Sequence, residues 1–260
     1  MSLSAGTSDK DLVSEHEHAD PVSKIMTSGE NNEFIHIGNK KYHRYDLMEA
    51  FGGTLNPGLS PYPVRQLGNP SPLGLCGFAM TTFVLSMFNA RAMGITVPNV
   101  VVGLAVFYGG FAQFAAGIWE GVIGNTFAMC ALTSYGSFWL AFAAINIKAF
   151  GIKAAYTGHE DQLGNAVSFF LLGWTLFTFM LTLCTIKSTV AFFSLFFFLT
   201  LTFIFLTAGD FTHKVGLTRT GGVLGVITAF IAFYNAFCGT ASAQNSYITG
   251  RPIRLPWVRV

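Results

Sequence analysis

"STVAFFSLFFFLTLTFIFLTAG" (residues 188–209) has no Asp, Glu, Lys or Arg in 22 positions, and seven of them are phenylalanine. As a helix rising 1.5 Å per residue, such a run outreaches the ~30 Å hydrocarbon core of a bilayer. Water has no use for a segment like this, so it reads as a membrane span. Three further stretches, 121–147, 162–186 and 220–250, are equally free of formal charge. The whole chain is 52% hydrophobic and only 11% charged, against about 25% charged in a soluble domain. The expected fold class is therefore an all-α membrane protein.

Six spans are predicted, at roughly 72–89, 98–119, 122–147, 163–186, 189–209 and 219–240. The charges gather at the joints: Arg91, Glu120, Lys148 to Asp161, Lys187, and Asp210 to Arg219. An even number of spans puts both termini on one side. Near the span ends five Lys/Arg fall on each side, so the positive-inside count does not choose an orientation. The first 20 residues, "MSLSAGTSDKDLVSEHEHAD", have no apolar core and no signal-peptide pattern. A cytoplasmic position for both termini is the simplest expectation. The organisation expected is a disordered cytoplasmic tail over 1–55, a six-helix domain over 56–241 and a cytoplasmic C-terminal tail over 242–260.

Several functions are disfavoured. Residues 1–71 carry six Lys/Arg against nine Asp/Glu, and no basic cluster for nucleic acid exists elsewhere. Cys76, Cys130, Cys184 and Cys238 all lie in apolar segments without metal-ligand spacing, so small packed side chains is the plain reading. "EHEH" (15–18) has no third ligand cluster beside it. No nucleophile–base pair appears, so neither enzyme activity nor a cofactor is expected.

What remains is transport. No Asp, Glu or His is expected at mid-membrane, where proton relays usually show such groups. The polar inventory of the spans is neutral: Thr81, Thr82, Ser86, Asn89, Tyr108, Gln113, Asn125, Tyr135, Thr228, Tyr234 and Asn235 are among its members. A pathway lined by Thr82, Tyr108, Gln113 and Asn235 can hydrogen-bond a small solute but offers no fixed cation for a dicarboxylate. Each of these groups also has a plain reading, since Ser and Thr in membrane helices often bond their own backbone or a neighbouring helix.

"LGNPSPLGLCGF" (67–78) opens the first span with unusual punctuation. Asn69 can cap free N–H groups, and Pro70 and Pro72 suit a first turn. The helix N-terminus carries about +0.5 charge of dipole and can attract an anion; an ordinary capped membrane helix would look the same. "LGNAVSFFLLGW" (163–174) matches it at five of twelve positions, which suggests two three-helix halves of opposite topology. "FYGG" (107–110) and "SYGSFW" (134–139) place a tyrosine beside glycine within a span, where a ring can close a narrow passage or pack against a neighbour. Ala112 with Ala116, and Gly117 with Gly121, have small-xxx-small spacing, a hint of oligomer contacts.

Together these residues resemble the acetate uptake transporter family, which includes bacterial succinate–acetate permeases and fungal acetate and ammonia-export proteins. "NPSPLGL" (69–75) resembles the signature NPAPLGL, with Ser71 in place of Ala, a change expected to be small. "FYGG" and "TSYGSFW" (133–139) follow at family-like distances, and "AQNSYITGRPIRLPW" (243–257) resembles the fungal ending. The long polar N-terminus and "GLSPYPV" (58–64) fit a fungal member. The resemblance covers about 70–260. It implies a six-helix protomer around its own pore, a plasma-membrane homohexamer, and movement of acetate and similar short monocarboxylates, generally with protons and in some members with succinate. It also implies a narrow hydrophobic ring of Phe78, Tyr135 and Leu199, the last set only by its distance from Asp210. An ammonium or ammonia conduit and a non-transporting acetate sensor are the alternatives.

Overall fold

The computed structural model describes residues 26–29, 31–50 and 67–256, which fall into two compact units divided between Gln66 and Leu67. In the first unit, β1 (Met26–Ser28), β2 (Phe34–Ile37) and β3 (Lys40–His43) form an antiparallel sheet in that order, followed by a short helix, Arg44–Ala50. This corrects the expectation of a tail without structure over its described part. Ile37 pairs with Lys40, so Gly38-Asn39 is a two-residue hairpin loop, and Gly38 has the positive φ (58°) such loops need. Phe34 packs edge-on against His43 at 5.3 Å, and the Lys41 ammonium stands 3.7 Å over the Phe34 ring. The "EHEH" run and the 55/56 boundary lie outside the described residues.

The second unit holds six helices long and apolar enough to cross a membrane: α1 (Ser71–Asn89), α2 (Val100–Val122), α3 (Thr126–Asn146), α4 (Glu160–Cys184), α5 (Val190–Thr212) and α6 (Val215–Thr240). The charge-free stretches set their centres, and local chemistry sets their ends. Asn125 caps α3 by accepting from the Ala128 N–H at 3.2 Å, and Thr189 caps α5 by accepting from Phe192 N–H at 3.2 Å. Successive helices are antiparallel. Gly117 and Gly121 of α2 approach Thr133 and Met129 of α3, Gly209 of α5 and Gly221 of α6 approach Thr218 and Leu206, and the ends of α6 meet those of α1 the same way, Gly239 by Pro72 and Gly222 by Asn89 and Ala90. Helices α1, α3 and α5 therefore all run away from the face that carries the C-terminal end of α6.

The "LGNAVSFFLLGW" copy lies inside α4, whose first residue is Glu160, so the punctuated opening of α1 has no counterpart there. The small-residue pair of α2 also faces inward rather than toward another protomer. A Cβ on Gly117 would stand 2.5 Å from the Thr133 nitrogen, and one on Gly121 would stand 2.6 Å from the Met129 sulfur, both in α3. Threonines join the second half of the bundle: Thr175 to Thr207 at 3.1 Å and Thr182 to Thr200 at 2.8 Å link α4 and α5. Others, such as Thr81 to the Gly77 carbonyl at 2.8 Å, bond their own helix. Both are the plain roles expected of hydroxyls in spans.

Helix α2 is not uniform. Phe107–Ala112, "FYGGFA", is a π-helical segment between two α-helical ones. There a Cβ on Gly109 would meet Thr81 Oγ1 at 2.5 Å and the Trp139 ring at 2.9 Å. Here the glycine serves close packing of three helices. Beyond α6 the chain returns to the start of α5: Val190 N–H donates to the Ile253 carbonyl at 2.8 Å, beside a Thr189–Arg254 bridge.

Candidate functional site

Phe78 of α1, Tyr135 of α3 and Leu199 of α5 lie seven to nine residues into three helices that run the same way. They thus reach similar depth. All three belong to one buried cluster and are 5%, 3% and 4% exposed, so the bundle is closely packed at this level. The Phe78 and Tyr135 ring centroids are 5.7 Å apart. Tyr135 is further enclosed by Trp174, Phe177 and Phe196. Its hydroxyl donates to Thr178 Oγ1 at 2.9 Å, so its proton is taken by α4.

One turn further along α1 and α3 come Thr82 and Trp139. Thr82 Oγ1 and Trp139 Nε1 are both buried without a hydrogen-bond partner. An unpaired buried donor costs about 1–3 kcal/mol, which a solute with acceptor oxygens would relieve. Trp139 was not singled out by the sequence reading. Its place in "SYGSFW", four residues after Tyr135, is the signal that could have found it.

Gln113 is fully buried, with a long 3.5 Å bond to the Leu132 carbonyl and its own Oε1 unpaired. Tyr108 is half-buried in the π-helical segment. The amide of Asn235 is already used, donating to the Ile231 carbonyl at 2.8 Å and to the Ala191 carbonyl at 3.4 Å. It ties α6 to α5. At the other end of the ring, exposed Asn69 accepts from Ser71 N–H at 3.1 Å through Oδ1. This is the local cap expected at the start of α1, although Pro70 takes the formal cap position. Asn69→Ala should lower the thermal midpoint by an amount equivalent to roughly 0.5–2 kcal/mol and slow acetate uptake per folded protein; detergent melting and reconstituted uptake measure the two.

Glu120 departs from the expectation. It lies inside α2 rather than between spans, and it is fully buried. Ser71 Oγ donates to its Oε1, while Oε2 has no partner. The Ser71 change from the signature is therefore less slight than its size suggests, because alanine could not make this bond. Ser71→Ala strands the carboxyl and should cost about 1.5–3 kcal/mol. Glu120→Gln keeps the acceptor and should cost less. Melting curves of the two variants and their double give the coupling; equal midpoints for wild type and Ser71→Ala would show that the bond contributes nothing.

Beyond the ring, at the far ends of α1, α3 and α5, a cavity of about 180 Å³ opens. Phe138 and Phe203, members of the same buried cluster as the ring, line it together with Leu85, Phe142 and Phe170. Its polar lining is Asn89, Asn146, Lys153, Asp210 and Thr218. This vestibule was missed in the sequence because Lys153 and Asp210 sit in separate joints, 57 residues apart.

Residues 51–257 match the GPR1/FUN34/yaaH family. The chain belongs to this family. Among its relatives, ammonia transport outward protein 2 of Saccharomyces cerevisiae is 63% identical over 235 residues, 90% of this chain and 83% of that protein. Acetate permease A of Emericella nidulans is 43% identical over 222 residues, 81% of this chain and 74% of that one. A solved structure of the bacterial acetate channel SatP superposes with a TM-score of 0.60 at 34% identity, covering 66% of this chain and 91% of that one. Within the GPR1/FUN34/yaaH family, then, this chain is a six-span membrane protein whose helices share the channel's fold.

Proposed function

We propose that the protein carries acetate and other short monocarboxylates across the membrane through a path inside each protomer. The carrying observation is the buried apolar cluster that holds Phe78, Tyr135 and Leu199 at similar depth, with two buried donors lacking partners, Thr82 Oγ1 and Trp139 Nε1, one turn further along. An apolar constriction selects by size and dewetting, and each buried donor without a partner can give a hydrogen bond to an acceptor oxygen of a carboxylate. Asn69 marks one mouth of this path, and Gln113 with Tyr108 flanks it. The relatedness to acetate permease A and to the acetate channel supports the substrate class.

A plasma-membrane homohexamer with cytoplasmic termini belongs to the same reading, as does passage of a proton with the acid. Succinate is a poorer substrate in this reading. The test is uptake of labelled acetate by purified protein in proteoliposomes, with methylammonium run in parallel. Saturable acetate uptake above empty vesicles supports the reading, and its absence refutes it.

A second reading has one specific support, the 63% identity to an ammonia transport outward protein. Methylammonium movement without acetate movement would favour it. If neither solute moves, the acetate-sensor reading takes precedence.

A further inference from the structure

We propose that the vestibule is a charge filter, in which Lys153 captures a carboxylate and Asp210 turns away solutes carrying a second one. This rests on the transport reading above and assigns the site that sets its preference for monoanions.

The groups come from separate elements. Lys153 follows α3 in the loop, and its ammonium donates to Asn146 Oδ1 at 2.8 Å. The Asn146 amide in turn donates to the Phe142 carbonyl at 2.8 Å. The flexible lysine is thereby held at the cavity rather than left to wander in solvent. Asp210, in the last turn of α5, is partly buried and lines the same cavity. Asn89 and Thr218 add neutral hydrogen-bonding groups. The floor is Phe203, one turn from Leu199. A solute that reaches the ring from this face passes the lysine and the aspartate first.

The electrostatics follow from the size of the space. In a cavity of about 180 Å³, a small anion drawn to the ammonium is near the carboxylate as well. Acetate has one charge and an apolar methyl, which can turn toward Phe203. A four-carbon diacid has a second charge that meets no further Lys or Arg among the residues lining the cavity and lies close to Asp210. Like charges across a confined, partly dry space repel far more than in bulk water. The cation also raises the local concentration of anions, an effect that weakens with ionic strength.

The experiment is reconstituted uptake of labelled acetate and succinate, normalised to folded protein, for wild type, Asp210→Asn, Lys153→Met and Lys153→Arg. Asp210→Asn should raise the succinate-to-acetate ratio roughly 3- to 10-fold. Lys153→Met should raise KM for acetate roughly 3- to 10-fold and flatten its salt dependence, whereas Lys153→Arg should stay near wild type. A wild-type ratio in Asp210→Asn overturns the exclusion, and so does a loss of methylammonium uptake with the ratio unmoved. An unchanged KM in Lys153→Met overturns the capture. Should Asp210→Asn fail to fold, Asp210→Ser reads the exclusion through the same ratio, and the variants of exposed Lys153 read the capture. Wild-type protein that moves no acetate refutes the transport reading and this one with it; acetate transport with indifferent vestibule variants refutes this one only.

Discussion

Leu199→Ala is expected to raise lactate uptake relative to acetate by roughly tenfold, and Phe78→Ala to act the same way. A methylene-sized difference in an apolar site is worth about 1–3 kcal/mol of discrimination, and both residues lie in the closely packed cluster proposed as the constriction. Leucine truncation in a packed core costs about 2–5 kcal/mol, so less protein should reach the membrane. Uptake must therefore be normalised to folded protein, and the ratio is the informative quantity. If Leu199 and Phe78 only pack, all substrates fall together and the ratio stays put. Tyr135→Phe is the control. Its hydroxyl serves Thr178, so its loss should change stability by about 1 kcal/mol and leave the lactate-to-acetate ratio unchanged.

Phe138→Ala is expected to be strongly destabilising, by about 3 kcal/mol. Phe138 stacks on Phe170 at 5.6 Å and meets Trp139, Trp174 and Phe203 edge-on. It therefore joins α3 to α4 and α5. Truncating phenylalanine in a water-soluble core costs about 3–5 kcal/mol. Between lipid-embedded helices the expected cost sits at the low end, because lipid tails are as apolar as the protein interior and packing alone remains. Since Phe138 also lines the vestibule, its loss should enlarge that space toward the ring. Thermal midpoint in detergent and acetate uptake per folded protein are the two measurements. A midpoint within error of wild type would show that the cluster tolerates a hole at its hub.

The spans were legible because absence of charge over twenty residues has one physical solution. Their ends were less so: the third span was expected from 122, whereas the second helix runs on to Val122 and Asn125 caps the third, which begins at Thr126. The Phe78–Tyr135 contact followed from the family motifs rather than from periodicity, because the spans are apolar all round and show no face. Glu120 was misplaced for a related reason. A single carboxylate at the edge of an apolar run looks like a joint, and only Ser71, 49 residues away, reveals it as buried. The hairpin of residues 34–43 was overlooked in a polar setting, although Gly38-Asn39 between two short runs is its signature. Nothing local in "FYGG" distinguishes a π-helical turn from an α-helical one. Many hydroxyls of the neutral inventory bond their own backbone or a neighbouring helix, and the Asn235 amide donates to two carbonyls, partners that no local pattern in the sequence announces.

The π-helical segment sets the phase of everything after it in α2. Its wider turn accommodates Phe107–Ala112 and thereby fixes the azimuth at which Gln113, Gly117 and Glu120 leave the axis. Each residue of an α-helix advances about 100° and the wider turn takes up one extra residue, so drawing these same residues into a plain α-helix would swing that whole half-helix by about a quarter of a circle. Gln113 and Glu120 would turn away from the interior, and Gly117 would no longer meet α3. Residues 107–112 are thus a phase-setting splice, tolerant of exchanged letters at Phe107 and Phe111, which face outward, and intolerant of tightening to a plain α-helical turn.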